Sequence, residues 1–207
     1  VLATAGICAA AFVIASAGFW LISDNVWPLL LSPAVLAWLM VYSFTKRFTA
    51  LCHLFLGSAL ALSPLAAAIA IEPSLLGRAE PYLLAMMVTC WVGGFDIIYA
   101  LLDVDIDRQA GLYSMPAQIG VEPALWLSRL LHLLALVTLV ILSRISSVLG
   151  TGFDVGVAIV GGLLVLEHAL MWRSQTHHIH VAFFTINGLI SVLLGVLGII
   201  DAIQAVV

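Results

Sequence analysis

Charged residues are scarce in this chain: Lys and Arg together number 7, Asp and Glu 11, and the four types make up 9% of 207 residues. An ordinary soluble domain carries about 25%, so water cannot be the main solvent of this surface. The basic residues form no cluster larger than the pair Lys46-Arg47, and the formal net charge is -4. That excludes a phosphate-neutralising face for nucleic acid. Cysteine is sparse too. Cys8, Cys52 and Cys90 are odd in number, isolated and embedded in apolar runs, which suits helix packing rather than a disulfide framework or a thiolate metal site. The first apolar run begins at once, without the cationic segment of a signal peptide. Low-complexity tracts, fixed-period repeats and linker-like stretches are also absent, so residues 1–207 read as one domain.

Hydrophobic residues, by contrast, make up 64% of the chain. A helix needs about 20 consecutive apolar residues to cross a bilayer core. Such stretches lie near 1–22, 28–44, 49–71, 81–102, 123–145, 153–172 and 180–203. The expected fold class is therefore all-α, a polytopic transmembrane helical bundle with seven spans. Pro28 and Pro33 suit the first turns of the second span, where a missing N–H is tolerated. Gly93, Gly94, Gly161, Gly162, Gly188, Gly195 and Gly198 allow close helix contacts. Basic residues in alternate loops set an orientation: Lys46, Arg47, Arg108 and Arg173, with Arg129 nearby, fall on one side, and Arg78 and Arg144 on the other. Five against two places the first side in the cytoplasm of a bacterial-type inner membrane. Trp126 and His132 read as markers of the membrane boundary.

Against this background, Asp96, Asp103, Asp105 and Asp107 fall within twelve residues. On a continuous helix, at about 100° per residue, Asp96, Tyr99, Asp103 and Asp107 lie within roughly 60° of one another, whereas Asp105 points away. A charge at membrane depth costs at least ~2.5 kcal/mol, so three carboxylates on one face need cations or a water-filled cavity. A divalent-metal site is the economical account. Mg²⁺ prefers oxygen ligands and binds through one or two carboxylates plus substrate phosphates, which implies a phosphate or diphosphate substrate. The alternative is a solvated helix end paired with Arg108. The loop from Tyr42 to Thr49 puts Lys46 and Arg47 at the same membrane face, to hold a diphosphate or to anchor topology. His53, seven residues beyond Lys46, shares its helical face and either lines the cavity or packs. Glu167 and Asn187 lie within the last two spans, where Glu167 contacts a polar substrate or bonds a neighbouring helix. His177, His178 and His180 read as solvated loop residues rather than a metal cluster.

The stretch from Gly94 through Arg108 to Gly111 and Ser114 resembles the second Asp-rich motif of the UbiA superfamily of intramembrane aromatic prenyltransferases. Tyr42-Ser43-Phe44-Thr45-Lys46-Arg47 resembles that family's basic loop. The likeness in hydropathy and spacing covers nearly the whole chain and points to the 4-hydroxybenzoate polyprenyltransferase branch and its menaquinone-pathway relatives. It implies Mg²⁺-dependent transfer of a polyprenyl group from polyprenyl diphosphate to an aromatic acceptor such as 4-hydroxybenzoate, in ubiquinone or menaquinone biosynthesis. By the same resemblance Asp96, Asp103 and Asp107 are metal ligands, and Asp103, Asp107 and Lys46 are catalytic, with Lys46 on the diphosphate. Tyr42, Ser43, Arg47 and Tyr99 join Lys46 around the substrates, and Arg108 supports the charged loop.

The resembling family has nine spans and a first Asp-rich motif between its second and third. The seven spans here correspond to its third through ninth, so this chain alone is expected to be catalytically incomplete, and an inactive remnant is one competing account. A CDP-alcohol phosphatidyltransferase would need a further spaced Asp pair, which does not follow Asp107-Arg108-Gln109-Ala110-Gly111. A cation-coupled transporter would place its carboxylates near the bilayer midplane on broken helices and often shows internal symmetry; these carboxylates sit at the end of a span.

Overall fold

The computed structural model describes residues 2–173, 179 and 181–206. Seven helices are long and apolar enough to cross a membrane: Ala3–Ser23, Trp27–Thr45, Cys52–Ile71, Glu80–Ala110, Val121–Ile145, Thr151–Met171 and Phe184–Gln204. Each matches one of the seven expected stretches, and no strand occurs among the described residues. His177, His178 and His180 lie outside the described residues. In chain order the α-helices are α1 (Leu2–Ser23), α2 (Trp27–Thr45), α3 (Cys52–Ile71), α4 (Glu80–Tyr99), α5 (Val104–Ala110), α6 (Met115–Ile119), α7 (Val121–Ile145), α8 (Thr151–Arg173) and α9 (Asn187–Gln204). Large apolar side chains such as Ile14, Leu30, Val165 and Ile199 point outward, as lipid-facing residues do when the backbone is satisfied within each helix.

Two prolines sit inside spans rather than at their ends. Pro28 occupies the first turn of α2 as expected, but Pro33 lies within the helix. Its missing N–H deprives the Leu29 carbonyl of its helical donor. The buried Ser32 hydroxyl donates to that carbonyl at 2.9 Å, which restores the lost bond and lets the span continue. Pro64 likewise lies inside α3, which continues through it.

The fourth span departs from a continuous helix. After Tyr99 the backbone tightens to a 3₁₀ turn over Ala100–Asp103, and α-helix resumes at Val104. Gly111 stops α5 in the left-handed region, at φ 66°, where a residue without Cβ is favoured. The Leu112 amide then donates to the Asp107 carbonyl at 2.8 Å, and the chain turns back toward α6.

Helix α4 lies between α3 and α7 and packs extensively on both. Glycines set these separations. A Cβ added at Gly57 would overlap the Thr89 carbonyl oxygen, and one at Gly94 would overlap the His132 ring. From α7, Ser128 Oγ donates to the Gly94 carbonyl at 2.7 Å, and His132 Nε2 lies 3.3 Å from the Trp91 carbonyl oxygen. The core above these contacts is formed by Ile97, Leu131, Ala135, Leu139, Val160 and Ile190. At the opposite end, Asp201 of α9 accepts from the Gly150 and Phe153 amides at 2.7 and 2.8 Å, capping the N-terminus of α8.

Because the Gly57 clash is with backbone, Gly57→Ala must push α3 away from α4. Overpacking of this kind costs about 1–3 kcal/mol. The expected outcome is a lower midpoint in thermal unfolding of detergent-solubilised protein; an unchanged midpoint would show that the two helices do not touch there.

Candidate active site

One end of the α2–α3–α4 group carries a cavity of about 280 Å³ whose lining includes Tyr42, Ser43, Lys46, His53, Asp96 and Asp103. The end of α2 supplies the first three, the first turn of α3 supplies His53, and the end of the fourth span supplies the carboxylates. Tyr99 also lines it. Lys46 Nζ lies 2.8 Å from Asp107 Oδ1 and 4.0 Å from Asp103 Oδ2. Asp107 is 1% exposed and reaches the cavity only through Lys46, and its Oδ2 has no hydrogen-bond partner. Asp105, two residues away, is exposed. The Asp107 carboxylate is buried while the Lys46 side chain is one-third exposed, and a buried carboxylate deprived of its cation is destabilising, so Lys46 holds Asp107 in place.

Asp96 is held differently. Its Oδ2 lies 2.6 Å from His53 Nδ1, and the Met115 amide donates to His53 Nε2 at 3.2 Å. His53 is 2% exposed, so it ties α4 to the segment after α5. Two backbone contacts reinforce that tie. The Tyr113 amide donates to the Lys46 carbonyl at 2.7 Å, and the Cys52 thiol lies 3.3 Å from the Tyr113 carbonyl. Cavity wall, basic loop and Asp-bearing segment therefore form one hydrogen-bonded unit.

The structure gathers Tyr42, Ser43, Lys46, Asp96, Tyr99 and Asp103 around this cavity and leaves three expected residues outside its lining: Asp107, which stands behind Lys46, and Arg47 and Arg108. Arg47 is exposed, with its guanidinium 5.3 Å from the centroid of the Phe44 ring. Arg108 is exposed and donates from Nε to the Ala117 carbonyl at 3.3 Å, bracing the turn between α5 and α6. The 3₁₀ turn also changes how the carboxylates are shared. Asp96 turns to His53, while Asp103 and Asp107 turn to Lys46. Among the described residues, no group of three or more His, Cys, Asp or Glu is drawn together tightly enough to hold a metal alone.

A second polar group lies deeper in the bundle. His132 is not a boundary residue: it is 2% exposed, with Nδ1 3.0 Å from His168 Nε2 and 3.5 Å from Glu167 Oε2. Trp126, on a different face of α7, is exposed, with the Arg129 guanidinium over its ring. Hydropathy alone could not separate the two. The signal was spacing: Ser128 and His132 are one turn apart, and both meet carbonyls of α4. Glu167 bonds a neighbouring helix, with Oε1 accepting from Asn187 Nδ2 at 3.5 Å.

Together these features define a polytopic membrane protein with a charged cavity at the end of an apolar bundle. The model of the UbiA prenyltransferase family matches residues 1–189, and the chain belongs to that family. It is 30% identical over 161 residues to a 4-hydroxybenzoate octaprenyltransferase of Chromohalobacter salexigens, covering 77% of this chain and 52% of the relative. It is also 30% identical over 149 residues to the protein of that name from Cronobacter sakazakii, covering 71% of this chain and 49% of the relative. The chain thus spans about half the length of these curated relatives. The apo structure of a UbiA homolog from Aeropyrum pernix superimposes with a TM-score of 0.79 at 30% identity, covering 93% of this chain and 69% of that one.

His53→Phe keeps an aromatic ring, larger than imidazole, but removes both bonds that tie Asp96 to the loop. Losing one such hydrogen bond is worth about 0.5–1.5 kcal/mol, more when the partner is charged. Hydrogen exchange at the Met115 amide should therefore quicken roughly tenfold; an unchanged rate would show that His53 does not hold this segment.

Proposed function

We propose that this chain carries the diphosphate-holding part of a prenyltransferase that moves a polyprenyl group from polyprenyl diphosphate to an aromatic acceptor such as 4-hydroxybenzoate, in ubiquinone or menaquinone biosynthesis. The observation that carries it is the cavity in which Lys46 stands between Asp103 and Asp107, with Asp96 on the same wall. Both relatives named above are octaprenyltransferases acting on 4-hydroxybenzoate by name. The positive-inside count puts this end of the spans in the cytoplasm of a bacterial inner membrane.

The donor set suits Mg²⁺. All the acidic groups present hard oxygen atoms, Asp107 Oδ2 is buried without a partner, and this ion takes few protein carboxylates when phosphate oxygens complete its shell. Asp96 and Asp103 would hold it from the cavity wall and Asp107 from behind Lys46. When bound, it supplies positive charge against the leaving diphosphate.

The remaining work falls to the chain itself. Lys46, displaced from Asp107 by a diphosphate, donates to the phosphate oxygens while the allylic C–O bond breaks and its electron pair leaves with the diphosphate. The acceptor ring then attacks the allylic carbon, a C–C bond forms, and the ring loses a proton. Tyr42, Ser43 and Tyr99 shape the space around the reacting carbon. The apolar bundle excludes water that would otherwise capture the allylic cation.

In membranes carrying the whole protein, Asp103→Ala is expected to reduce Mg²⁺-dependent transfer of labelled polyprenyl to a panel of aromatic acids by about a hundredfold or more. Asp105→Ala, on the exposed side, is expected to leave most of it. Equal loss from both substitutions would contradict the assignment, as would transfer that persists in the absence of divalent metal.

A further inference from the structure

At the end of the bundle away from the charged cavity, α7 and α8 part to leave a groove of about 330 Å³. Along α7 its wall runs through Leu136, Val140 and Arg144, and along α8 through Asp154, Ala158 and Gly161. Steps of three and four residues keep each set on one helical stripe, so the two stripes face each other. From Arg144 to Leu136 the axial distance is about 12 Å, less than half of a ~30 Å bilayer core. The groove therefore stays within one leaflet. Its deep end is closed, because a Cβ added at Gly161 would meet Leu136 at 3.4 Å. Its side is open to lipid at Val140, which is 42% exposed.

The charged pair stands at the mouth of the groove, in the last turn of α7 and the first turn of α8. The two groups are loosely joined. Arg144 Nη1 lies 3.4 Å from Asp154 Oδ2, longer than the roughly 2.7–2.9 Å of a charge-assisted hydrogen bond. The other basic residue of this end, Arg78, meets Glu80 at 2.6 Å. A guanidinium has five N–H donors, and among the described residues Arg144 uses one of them, on Asp154. Asp154 is not spent on capping α8 either, since Asp201 takes the Gly150 and Phe153 amides there. Both side chains are exposed by a third or more, so their contact adds little stability. A cation and a carboxylate thus stand side by side, each with bonding capacity left over, above an apolar slot.

We propose that this groove holds one phospholipid with a primary ammonium headgroup, phosphatidylethanolamine, its phosphate on Arg144, its ammonium on Asp154 and the upper part of one acyl chain between Val140 and Ala158. Charge complementarity selects the occupant. Arg144 attracts any phosphate, and its planar fork suits the phosphate oxygens, but Asp154 beside it repels a headgroup of net negative charge. A glycerol headgroup supplies no cation for that carboxylate, and a choline ammonium has no N–H to donate to it. Ethanolamine meets both members of the pair. The site stands apart from the prenyltransferase reading, at the other end of the spans.

The test is equilibrium binding to the detergent-solubilised whole protein, read by native mass spectrometry, of phosphatidylethanolamine, phosphatidylcholine and phosphatidylglycerol with identical acyl chains. The ethanolamine lipid is expected to bind about tenfold more tightly than the other two, the effect of one added hydrogen bond between charged groups. Asp154→Asn should bring it level with the choline lipid, and Arg144→Gln should weaken all three, whereas Arg144→Lys keeps most of the binding. Each Asp154 result is a ratio between lipids on one protein, so a general loss of affinity is not mistaken for the predicted effect. Glycerophosphoethanolamine, the same headgroup without acyl chains, is expected not to compete at the same concentrations. Equal binding of the three lipids by the unaltered protein, tightest binding of the glycerol lipid, or an ethanolamine preference that survives Asp154→Asn overturns the assignment. Competition by the chainless headgroup as strong as by the lipid overturns the part given to the apolar slot.

Discussion

The structure turns on one contact, the ion pair between Lys46 at the end of α2 and Asp107 in α5, 2.8 Å apart, with Asp103 4.0 Å from the same ammonium. A carboxylate 1% exposed at the end of an apolar bundle cannot stand without compensation. Lys46 supplies it from a different span, so the acidic segment is pinned to the basic loop. The Tyr113 amide on the Lys46 carbonyl and the His53 bridge to Asp96 and Met115 extend that pin to α3 and to the turn before α6. An anion entering the cavity meets Lys46 already positioned and competes with Asp107 for it. That competition would couple substrate arrival to release of the Asp107 carboxylate.

Precise placement of the carboxylates depends on how tightly α4 is held. Glycines at 57 and 94 allow α3 and α7 to approach its backbone, and Ser128 and His132 take two of its carbonyls. These contacts are short and made to backbone, so they resist rotation of α4 about its axis. Rotation would carry Asp96 and Tyr99 away from the cavity they line. Glu167 and His132 are buried behind the same helix with His168 half-buried beside them, and the Glu167 hydrogen bond runs toward α4 through Asn187 and Trp91.

Much of this was legible in the residues. Seven apolar stretches became seven spans because length and hydropathy alone decide what a bilayer core admits. Lys46, Asp96, Asp103, Tyr42 and Tyr99 converge because stripe spacing and loop alternation both survive folding. The break at Ala100–Asp103 was not legible. A 3₁₀ turn and an α-turn share the same side chains, and tertiary contacts decide between them. Arg47, in the turn after α2, and Arg108, in α5, stood beside expected site residues in sequence but point outward, toward Phe44 and Ala117. His132 read as interfacial because a lone histidine in an apolar helix looks alike at the rim and in the core. Its partners, His168 and the Trp91 carbonyl on other spans, distinguish the two, and the one-turn spacing from Ser128 is the mark they leave in the sequence.

The most direct measurement is a structure of the protein bound to a prenyl thiolodiphosphate with Mn²⁺ in place of Mg²⁺, with the metal located by its anomalous scattering. The account predicts metal density in the cavity between Asp96, Asp103 and the diphosphate, with Lys46 moved from Asp107 onto a phosphate oxygen. Metal and diphosphate bound elsewhere, or Lys46 still paired with Asp107 while the diphosphate is in place, would contradict it.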